Sequence, residues 1–133
     1  MARTKAPRSS APDIKRERKK SLYFREISSL LQDLARDEKA VQGVYVTHVD
    51  LSPNSGILYI YFSTYTEPGQ EIFDAAFPIL KLYKPSLRKA FSHRVDARYT
   101  PELVFVYDKV KEKERRVVDL LEMVADDLKK SEH

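Results

Sequence analysis

Six basic side chains lie close together in the middle of this chain, and a group of that density is able to bind phosphates. They are Lys81, Lys84, Arg88, Lys89, Arg94 and Arg98. The single carboxylate between residues 81 and 98 is Asp96, and His93 supplies a further side chain that can contact phosphate. Six cations and one acid leave a surplus of five positive charges, which indicates a polyanionic partner. The alternative is a lysine-rich helix face that is merely solvated.

The first 20 residues form a second basic segment. They contain eight Lys or Arg residues against two acids, with two prolines and almost no large apolar side chain. Such a segment cannot bury enough apolar surface to offset the entropy of ordering, so we predict a disordered tail over residues 1–20. Five of its cations are candidate contacts to the same polyanion: Lys15, Arg16, Arg18, Lys19 and Lys20. An organellar transit peptide, which is also rich in Arg and Ser, is the alternative.

The composition limits the class of protein. The chain has 133 residues, of which 42% are hydrophobic and 33% are charged, as in a soluble single domain. No apolar run approaches the roughly 20 residues that span a bilayer, and the N-terminus lacks the apolar stretch of a secretory signal. Cysteine is absent, which excludes disulfides and thiolate metal sites. We therefore expect a cytoplasmic protein without a membrane partner.

The residues that usually carry catalysis are too few and too scattered in the sequence. The three histidines are His48, His93 and His133, and the three glycines are Gly43, Gly56 and Gly69. No glycine stands in the spacing of a phosphate-binding loop. The adjacent acids Asp126 and Asp127 lie on one predicted helix, whereas a catalytic carboxylate pair converges from separate elements. The sequence therefore predicts a protein that is not an enzyme, with no catalytic residue, metal, cofactor or small-molecule substrate.

Hydrophobic periodicity places the elements that position these cations. From Ser21, apolar side chains recur on the 3.6-residue period that is typical of a core-facing helix: Tyr23, Ile27, Leu30, Leu31 and Leu34. The segments 44–51 and 57–64 are rich in β-branched and aromatic residues, and the turn composition between them predicts an antiparallel hairpin. A helix followed by a hairpin therefore opens the domain.

The segment from Phe73 to Val95 carries most of the central cations. Its apolar residues recur at helical spacing, but Pro78 and Pro85 each remove an amide donor, so we expect a kinked or broken helix pair. In the second helix, Arg88, Lys89, Ser92 and His93 fall on the outward side. The run 103–107 that follows is continuously apolar and predicts a central strand buried on both faces.

A last helix is predicted after Asp108. We expect it to pack through apolar residues at helical spacing: Val117, Leu120, Leu121, Val124 and Leu128. The order helix, strand, strand, kinked helix pair, strand, helix predicts a small α+β sheet with helices on one face. The expected organisation is a basic tail over 1–20, a domain over 21–110, and a C-terminal helix over 111–133 that packs on or extends the domain.

Three stretches of the chain resemble one known family. The most specific runs from Arg98 through Pro101-Glu-Leu-Val-Phe-Val-Tyr to Asp108, and it is preceded by the pair Leu87-Arg88. A second is Val46-Thr-His-Val-Asp-Leu-Ser52, and a third is Arg116-Val-Val-Asp-Leu-Leu121. Together they are similar to the bacterial ribosome-binding factor A family, in a resemblance that runs from Ser21 to Leu128.

The resemblance implies a type II KH-like domain with a C-terminal extension. It also implies binding to the small (30S) ribosomal subunit and its 16S rRNA late in maturation, without catalysis, and we expect a monomer when the chain is free. Ordinary KH domains hold RNA with a Gly-x-x-Gly loop, which this family replaces by an Ala-x-Gly kink, and here Tyr83-Lys84-Pro85 stands there. Because glycine is what permits close backbone approach, we expect RNA contacts from side chains such as Lys84, Arg88 and Lys89.

Two further classes of partner are consistent with the aromatic residues. Exposed rings can stack on the bases of single-stranded RNA. The candidates are Tyr83, Phe91 and Tyr99, of which Phe91 has the helical phase of a core residue. A general single-strand RNA-binding domain is therefore one alternative. The other is a protein-interaction module that binds a ribosomal protein or another assembly factor through Tyr59, Tyr61 and Tyr65.

Overall fold

A computed structural model describes residues 11–96 and 98–131 of the chain. Within these residues, the chain forms three α-helices, one short 3-10 helix and three strands. In order they are α1 (Ala11–Asp37), a 3-10 helix (Lys39–Gly43), β1 (Val44–Leu51), β2 (Ile57–Thr64), α2 (Gly69–Val95), β3 (Glu102–Tyr107) and α3 (Lys109–Ser131). The α+β class predicted from the sequence is confirmed.

The three strands form one sheet in the order β1-β2-β3. β1 and β2 are antiparallel, which confirms the predicted hairpin, and β2 and β3 are parallel, with Ile57 opposite Glu102. Ser52 closes the hairpin turn, since its hydroxyl oxygen accepts hydrogen bonds from the amides of Gly56 at 3.1 Å and Ile57 at 2.9 Å. The parallel pair requires a long crossover, which α2 supplies.

The prediction that residues 103–107 form the central strand is wrong, because β2 occupies the centre and β3 lies at an edge. In β3 buried and half-buried side chains alternate, so Leu103 and Phe105 belong to the core while Val104 and Val106 point to the less covered face. The run is continuously apolar because valine, which favours strands, also occupies that second face. Apolar continuity therefore did not identify the centre of the sheet.

α1 and α2 pack on one face of the sheet and enclose the core. The α1 side chains predicted from periodicity are all at most 9% exposed. Leu80 and Phe91 of α2 are fully buried, as are Ile60 and Phe62 of β2. The rings of Tyr23 and Phe91 meet edge to face, with their centroids 4.8 Å apart. This packing fixes the rotation of both helices, and the rotation determines where their charges lie.

α2 is one helix of 27 residues, whereas the sequence predicted a kinked or broken pair. Pro78 and Pro85 lie inside it, and both are exposed. The carbonyl groups that lose their helical partners are those of Asp74 and Lys81, four residues before each proline. Both of these residues are exposed as well, so water can hydrogen-bond the two carbonyls. The helix continues because the missing bonds fall on its solvent side.

The disordered tail predicted over residues 1–20 is wrong for residues 11–20, which form the first turns of α1. Residues 1–10 lie outside the described residues. The Arg16 guanidinium donates hydrogen bonds to the carbonyls of Leu51 and Ser52, the latter at 3.1 Å. The Lys20 ammonium lies 3.5 Å from the carboxylate of Asp50. These contacts to the end of β1 hold a helical segment that has few apolar side chains.

One buried carboxylate joins three elements at the start of α3. Asp108 is 6% exposed and accepts hydrogen bonds from the Thr47 hydroxyl at 2.8 Å and the Lys111 amide at 2.9 Å. Its own amide donates to the carbonyl of Phe62 at 2.7 Å. The bond from Lys111 caps the first turn of α3. Asp108 therefore sets the position from which α3 leaves the sheet.

A second set of contacts anchors α3 one turn further along. The Tyr107 hydroxyl donates to the Glu112 carboxylate at 2.6 Å, and burial together with this hydrogen bond raises the pKa of Tyr107 to about 12. Arg115 donates to the Thr64 carbonyl at 2.7 Å, and its Nε atom lies 3.0 Å from the Glu67 carboxylate. The first two turns of α3 are thus fixed to the ends of β2 and β3.

The second half of α3 exposes the apolar stripe through which it was predicted to pack, so that prediction is wrong. The exposed fractions are 56% for Val117, 60% for Leu120, 63% for Leu121, 48% for Val124 and 61% for Leu128. The periodicity identified the helix correctly, but in the described residues it did not identify a buried face. No helix in the described part of the chain is long and apolar enough to cross a membrane.

Candidate nucleic-acid interface

α2 presents four of the predicted cations on one side, at positions i, i+3, i+7 and i+8. They are Lys81, Lys84, Arg88 and Lys89. Leu87 and Phe91 lie on the core side and are buried, as predicted, and Lys84 borders that side, with its ammonium near Glu102 of β3. His93 is exposed near the end of the helix, beside Lys89. We call these four cations and His93 the α2 face.

Arg88 binds the backbone segment that leads into β3. Its Nε atom donates to the carbonyl of Pro101 at 3.0 Å, and its Nη2 atom donates to the carbonyl of Thr100 at 2.6 Å. The charge remains on the α2 face, but much of the donor capacity is used inside the protein. The contact of Arg88 with RNA stays a prediction, and its intramolecular contacts also give it a structural role.

Arg94 lies on the other side of α2, against α1. Its guanidinium lies 3.5 Å from Glu26 and 3.3 Å from Asp33, and it donates to the Ser29 hydroxyl at 3.0 Å. Two carboxylates therefore balance its charge. The structure separates Arg94 from the other predicted cations because the partner acids lie some 60 to 70 residues earlier in the chain, where sequence spacing gives no signal.

Two lysines of the α2 face lie over aromatic rings. The Lys84 ammonium is 5.5 Å from the centroid of the Phe105 ring and 3.9 Å from the Glu102 carboxylate. The Lys81 ammonium is 5.7 Å from the centroid of the Phe77 ring. Contacts of this kind at exposed sites are weak. Lys81 is therefore able to leave the ring for a phosphate, whereas Lys84 is partly neutralised.

A shallow depression of about 320 Å³ lies at the end of the α2 face. Lys89 and His93 line it, together with Pro85, Ser92 and Thr100. Neither Lys89 nor His93 has a charged partner among residues 11–96 and 98–131. Both are exposed, so this depression offers two side chains that can meet phosphate without giving up an internal contact.

A larger groove of about 730 Å³ lies between the first half of α1, the β1-β2 turn and the segment that joins α2 to β3. α1 contributes three cations and the α2-β3 segment a fourth: Lys15, Arg18, Lys19 and Arg98. Its apolar lining includes Leu22, Tyr23 and Val95, its one acid is Asp96, and Tyr99 lies beside Arg98. We call this the α1 groove.

The structure divides the five predicted tail contacts into two groups. Arg16 and Lys20 are bound to β1 and its turn, while Lys15, Arg18 and Lys19 line the α1 groove. Arg98 of the central segment joins the second group, a combination that sequence reasoning missed. A signal was present, because 15, 18, 19 and 22 are spaced as one side of a helix.

The three aromatic candidates for base stacking differ in availability. Phe91 is fully buried, as its phase predicted. The Tyr83 hydroxyl donates to the Glu38 carboxylate at 2.7 Å, which raises the pKa of Tyr83. Tyr99 is 78% exposed, and the Arg98 guanidinium lies 5.8 Å from the centroid of its ring. Tyr99 is therefore the candidate with a free ring face.

The tyrosines of the alternative protein-binding surface are also partly occupied. The His48 ring stacks on Tyr61 with centroids 4.2 Å apart, and the Tyr45 and Tyr65 rings are 4.8 Å apart. Tyr65 is 66% exposed, whereas Tyr59 is half-buried. This surface could hold a partner mainly through Tyr65.

His48 has the ordinary contacts of a strand residue. Its Nδ1 atom lies 3.0 Å from the Thr47 hydroxyl oxygen and 3.5 Å from the Asp108 carboxylate. In the part of the chain that the structure describes, no three His, Asp or Glu side chains are grouped so that they could hold a metal ion.

A family model described as ribosome-binding factor A matches residues 15–121 of the chain. A relative of that name from a Cyanothece species is 34% identical over 123 residues, which are 91% of this chain and 90% of the relative. Another, from Thermosynechococcus vestitus, is 33% identical over 112 residues, or 84% of this chain and 87% of the relative. The matched span contains both the α2 face and the α1 groove.

Two solved structures with related folds come from Thermus thermophilus. A crystal structure of ribosome-binding factor A has a TM-score of 0.60 at 22% identity and covers 69% of this chain and 93% of its own. A homology model of the Thermus protein, fitted into a cryo-EM map of its complex with the 30S subunit, has a TM-score of 0.56 at 22% identity. It covers 68% of this chain and 92% of its own. Likeness at this identity establishes the fold.

Proposed function

This chain belongs to the ribosome-binding factor A family, and we therefore propose that it binds the small (30S) ribosomal subunit and assists the late maturation of 16S rRNA in the cytoplasm. The observation that carries the proposal is the family match over residues 15–121, which includes every cation of the two surfaces described above. The Thermus protein of the same family has been placed in a 30S complex, which supports the same partner here.

The α2 face supplies the contacts that this function needs. Lys81, Lys89 and His93 are exposed and can meet phosphates, while the charges of Lys84 and Arg88 add to the local positive potential. Contacts to phosphate fix the position of an RNA without reading its sequence. Binding energy of this kind favours the rRNA conformation that the surface fits, so the protein acts by shifting a conformational equilibrium and breaks no bond.

The test is the salt dependence of binding to purified small subunits by wild type and by Lys81→Glu/Lys89→Glu. We expect weaker binding and a slope of log affinity against log salt that is flatter by about one unit per lost phosphate contact. Lys113→Glu/Lys129→Glu is the matched control, since it changes the net charge equally at exposed positions of α3, a helix that contributes to neither cationic surface. Arg88 is left intact because its loss would disturb the entrance to β3.

Equal affinity and slope for wild type and the α2-face variant would overturn the proposed surface. Binding that is tight but insensitive to salt would instead favour the alternative partner, a ribosomal protein or another assembly factor bound through Tyr65 and its neighbours. The maturation step is tested separately in cells depleted of the protein. An unchanged proportion of unprocessed 16S rRNA in their small subunits would contradict that part of the proposal.

A further inference from the structure

The α1 groove combines two kinds of lining in one concave site. Lys15, Arg18 and Lys19 supply positive charge along α1, and Leu22 and Val95 supply apolar surface. Phosphates are attracted to the first kind, and the flat apolar faces of bases to the second. A site that has both linings in about 730 Å³ fits a ligand that alternates phosphate and aromatic groups.

In the described structure, the cations of the groove have no acidic partner. No carboxylate there forms an ion pair with Lys15, Arg18, Lys19 or Arg98, in contrast to Lys20 and Arg94, which have close acidic partners. The one acid that lines the groove is Asp96. Four cations against one carboxylate leave a site that attracts an anion from solution.

Tyr99 provides the aromatic element. Its side chain is 78% exposed, and the Arg98 guanidinium lies 5.8 Å from the ring centroid. A solvent-facing tyrosine beside a cation is the arrangement on which an unstacked base of single-stranded RNA can lie. Bases in a duplex are already stacked and paired, so this ring face selects single strands.

The walls of the groove are held in place before any ligand binds. Arg16 fixes α1 to the β1-β2 turn, and Arg88 fixes the backbone at Thr100 and Pro101. The Thr100 hydroxyl also donates to the Ser92 hydroxyl at 2.7 Å. Because these walls are pre-formed, less ordering entropy opposes binding. Arg16 and Arg88 are therefore positioning residues for this site.

We propose that the α1 groove binds a short single-stranded segment of RNA, with one base stacked on Tyr99 and the neighbouring phosphates on Lys15, Arg18 and Lys19. This inference rests on the proposed function, since it assumes that the partner is RNA. The Asp96 carboxylate is placed to accept a hydrogen bond from a base amino group or a ribose 2′-hydroxyl, groups that an acidic peptide lacks.

The chain has no tryptophan, so Tyr99→Trp would introduce a single tryptophan at the site, and its fluorescence reports on stacking there. We expect a single-stranded RNA hexamer to quench this tryptophan by stacking, and its duplex form to leave the emission unchanged. Tyr65→Trp is the matched reporter at another exposed tyrosine, and its emission should not respond. Quenching at both positions, or at neither up to millimolar hexamer, would overturn the proposal.

Affinity for the same hexamer separates stacking from charge. Tyr99→Ala should weaken binding about tenfold with an unchanged salt slope, because it removes a stacking surface and no charge. Lys15→Glu/Lys19→Glu should weaken binding and flatten the slope, while Lys113→Glu/Lys129→Glu should do neither. Equal affinity for wild type and Tyr99→Ala would contradict the inference, as would equally tight binding of an oligoglutamate, which has no base to stack.

The inference and the proposed function can fail independently. If Tyr99→Ala binds small subunits and the hexamer like wild type while Lys81→Glu/Lys89→Glu loses subunit affinity, the groove assignment is wrong and the proposed function stands. If no variant affects subunit binding but Tyr99→Ala loses the hexamer, the groove binds RNA and the proposed subunit interface is wrong.

Discussion

Two helical segments, one near each end of the chain, differ in how they attach to the domain. Polar side chains hold the first segment, whereas the second leaves its apolar side chains exposed. Residues 14–20 of α1 have few apolar side chains, yet Arg16 and Lys20 fasten them to the end of β1. Residues 117–128 of α3 have a strong apolar stripe, yet its side chains are about half exposed or more. The segment with the weaker apolar pattern is thus the one that lies against the domain.

A few long polar side chains can therefore dock a helix whose position hydrophobic periodicity does not predict. An arginine that reaches two backbone carbonyls satisfies acceptors at a strand end and orients a helix at once. An apolar stripe stabilises the native state only when another surface covers it. The contrast between the two segments is measurable, and four experiments test it.

The largest effect is expected from truncating a matched aliphatic residue in each helix. Ile27→Ala in α1 should lower the free energy of unfolding by about 3 kcal/mol, because Ile27 is fully buried. Leu121→Ala in α3 should change it by less than about 0.5 kcal/mol, since Leu121 is 63% exposed. Urea unfolding measures both. A cost above about 1.5 kcal/mol for Leu121→Ala would show that the stripe is covered in solution.

A smaller loss is expected when the anchor of α3 is removed. Asp108→Ala leaves the Lys111 amide without its acceptor and removes one of the two acceptors of the Thr47 hydroxyl, and should cost about 2 kcal/mol. Amide hydrogen exchange in residues 109–116 should become faster. Asp119→Ala, which removes an exposed carboxylate from the same helix, is the control. Unchanged exchange in Asp108→Ala would mean that Tyr107 and Arg115 hold α3 alone.

Removing the clamp of α1 should cost about 1 kcal/mol, because Arg16→Ala loses two hydrogen bonds at a partly exposed site. The exchange of amides 14–20 should accelerate while that of the buried turns around Ile27 stays slow. Arg18→Ala is the control, since the described structure gives Arg18 no bond to the hairpin. Equal exchange in the two variants would contradict the docking of this segment.

The effect of the second anchor of α3 is confined to high pH. The pKa of Tyr107 is about 12 in the folded chain against about 10 when unfolded, so the unfolded chain loses the proton first as pH rises. The stability linked to this raised pKa is complete below pH 10 and is lost between pH 10 and 12. Tyr107→Phe should not lose this stability as the pH rises. If the melting temperature falls equally in Tyr107→Phe and wild type between pH 9 and 12, this prediction is wrong.

Hydrophobic periodicity and turn composition predicted the elements that are determined by residues close together in the sequence. The α1 stripe around Ile27, the hairpin and the outward side of α2 follow from periodicity and turn chemistry. The predicted break in α2 did not occur. The cost of a proline in a helix depends on whether the carbonyl four residues before it can bind water. That depends on which side of α2 is buried, and the tertiary packing decides this. The centre of the sheet likewise depends on pairing, which an apolar run does not specify.

For the candidate site, the sequence predicted the types of residue but not their arrangement. The basic residues are visible in the sequence, but Arg88 and Arg94 have partners on other elements, so which cations remain available is a tertiary property. The α1 groove depends on Arg16 reaching carbonyls 35 and 36 residues away. The sequence did not predict where residues 14–20 lie, because polar contacts to distant residues place them and apolar periodicity does not.

The parallel pairing of β2 with β3 also has a consequence for the order of folding. β2 meets β1 across a short turn, but it can meet β3 only after the whole of α2 has crossed over, from Thr64 to Glu102. Closing the longer loop costs more chain entropy and slows the step. We therefore expect the β1-β2 hairpin to form first and β3 to arrive last. Pulse-labelled hydrogen exchange that protected β3 before the hairpin would contradict this order.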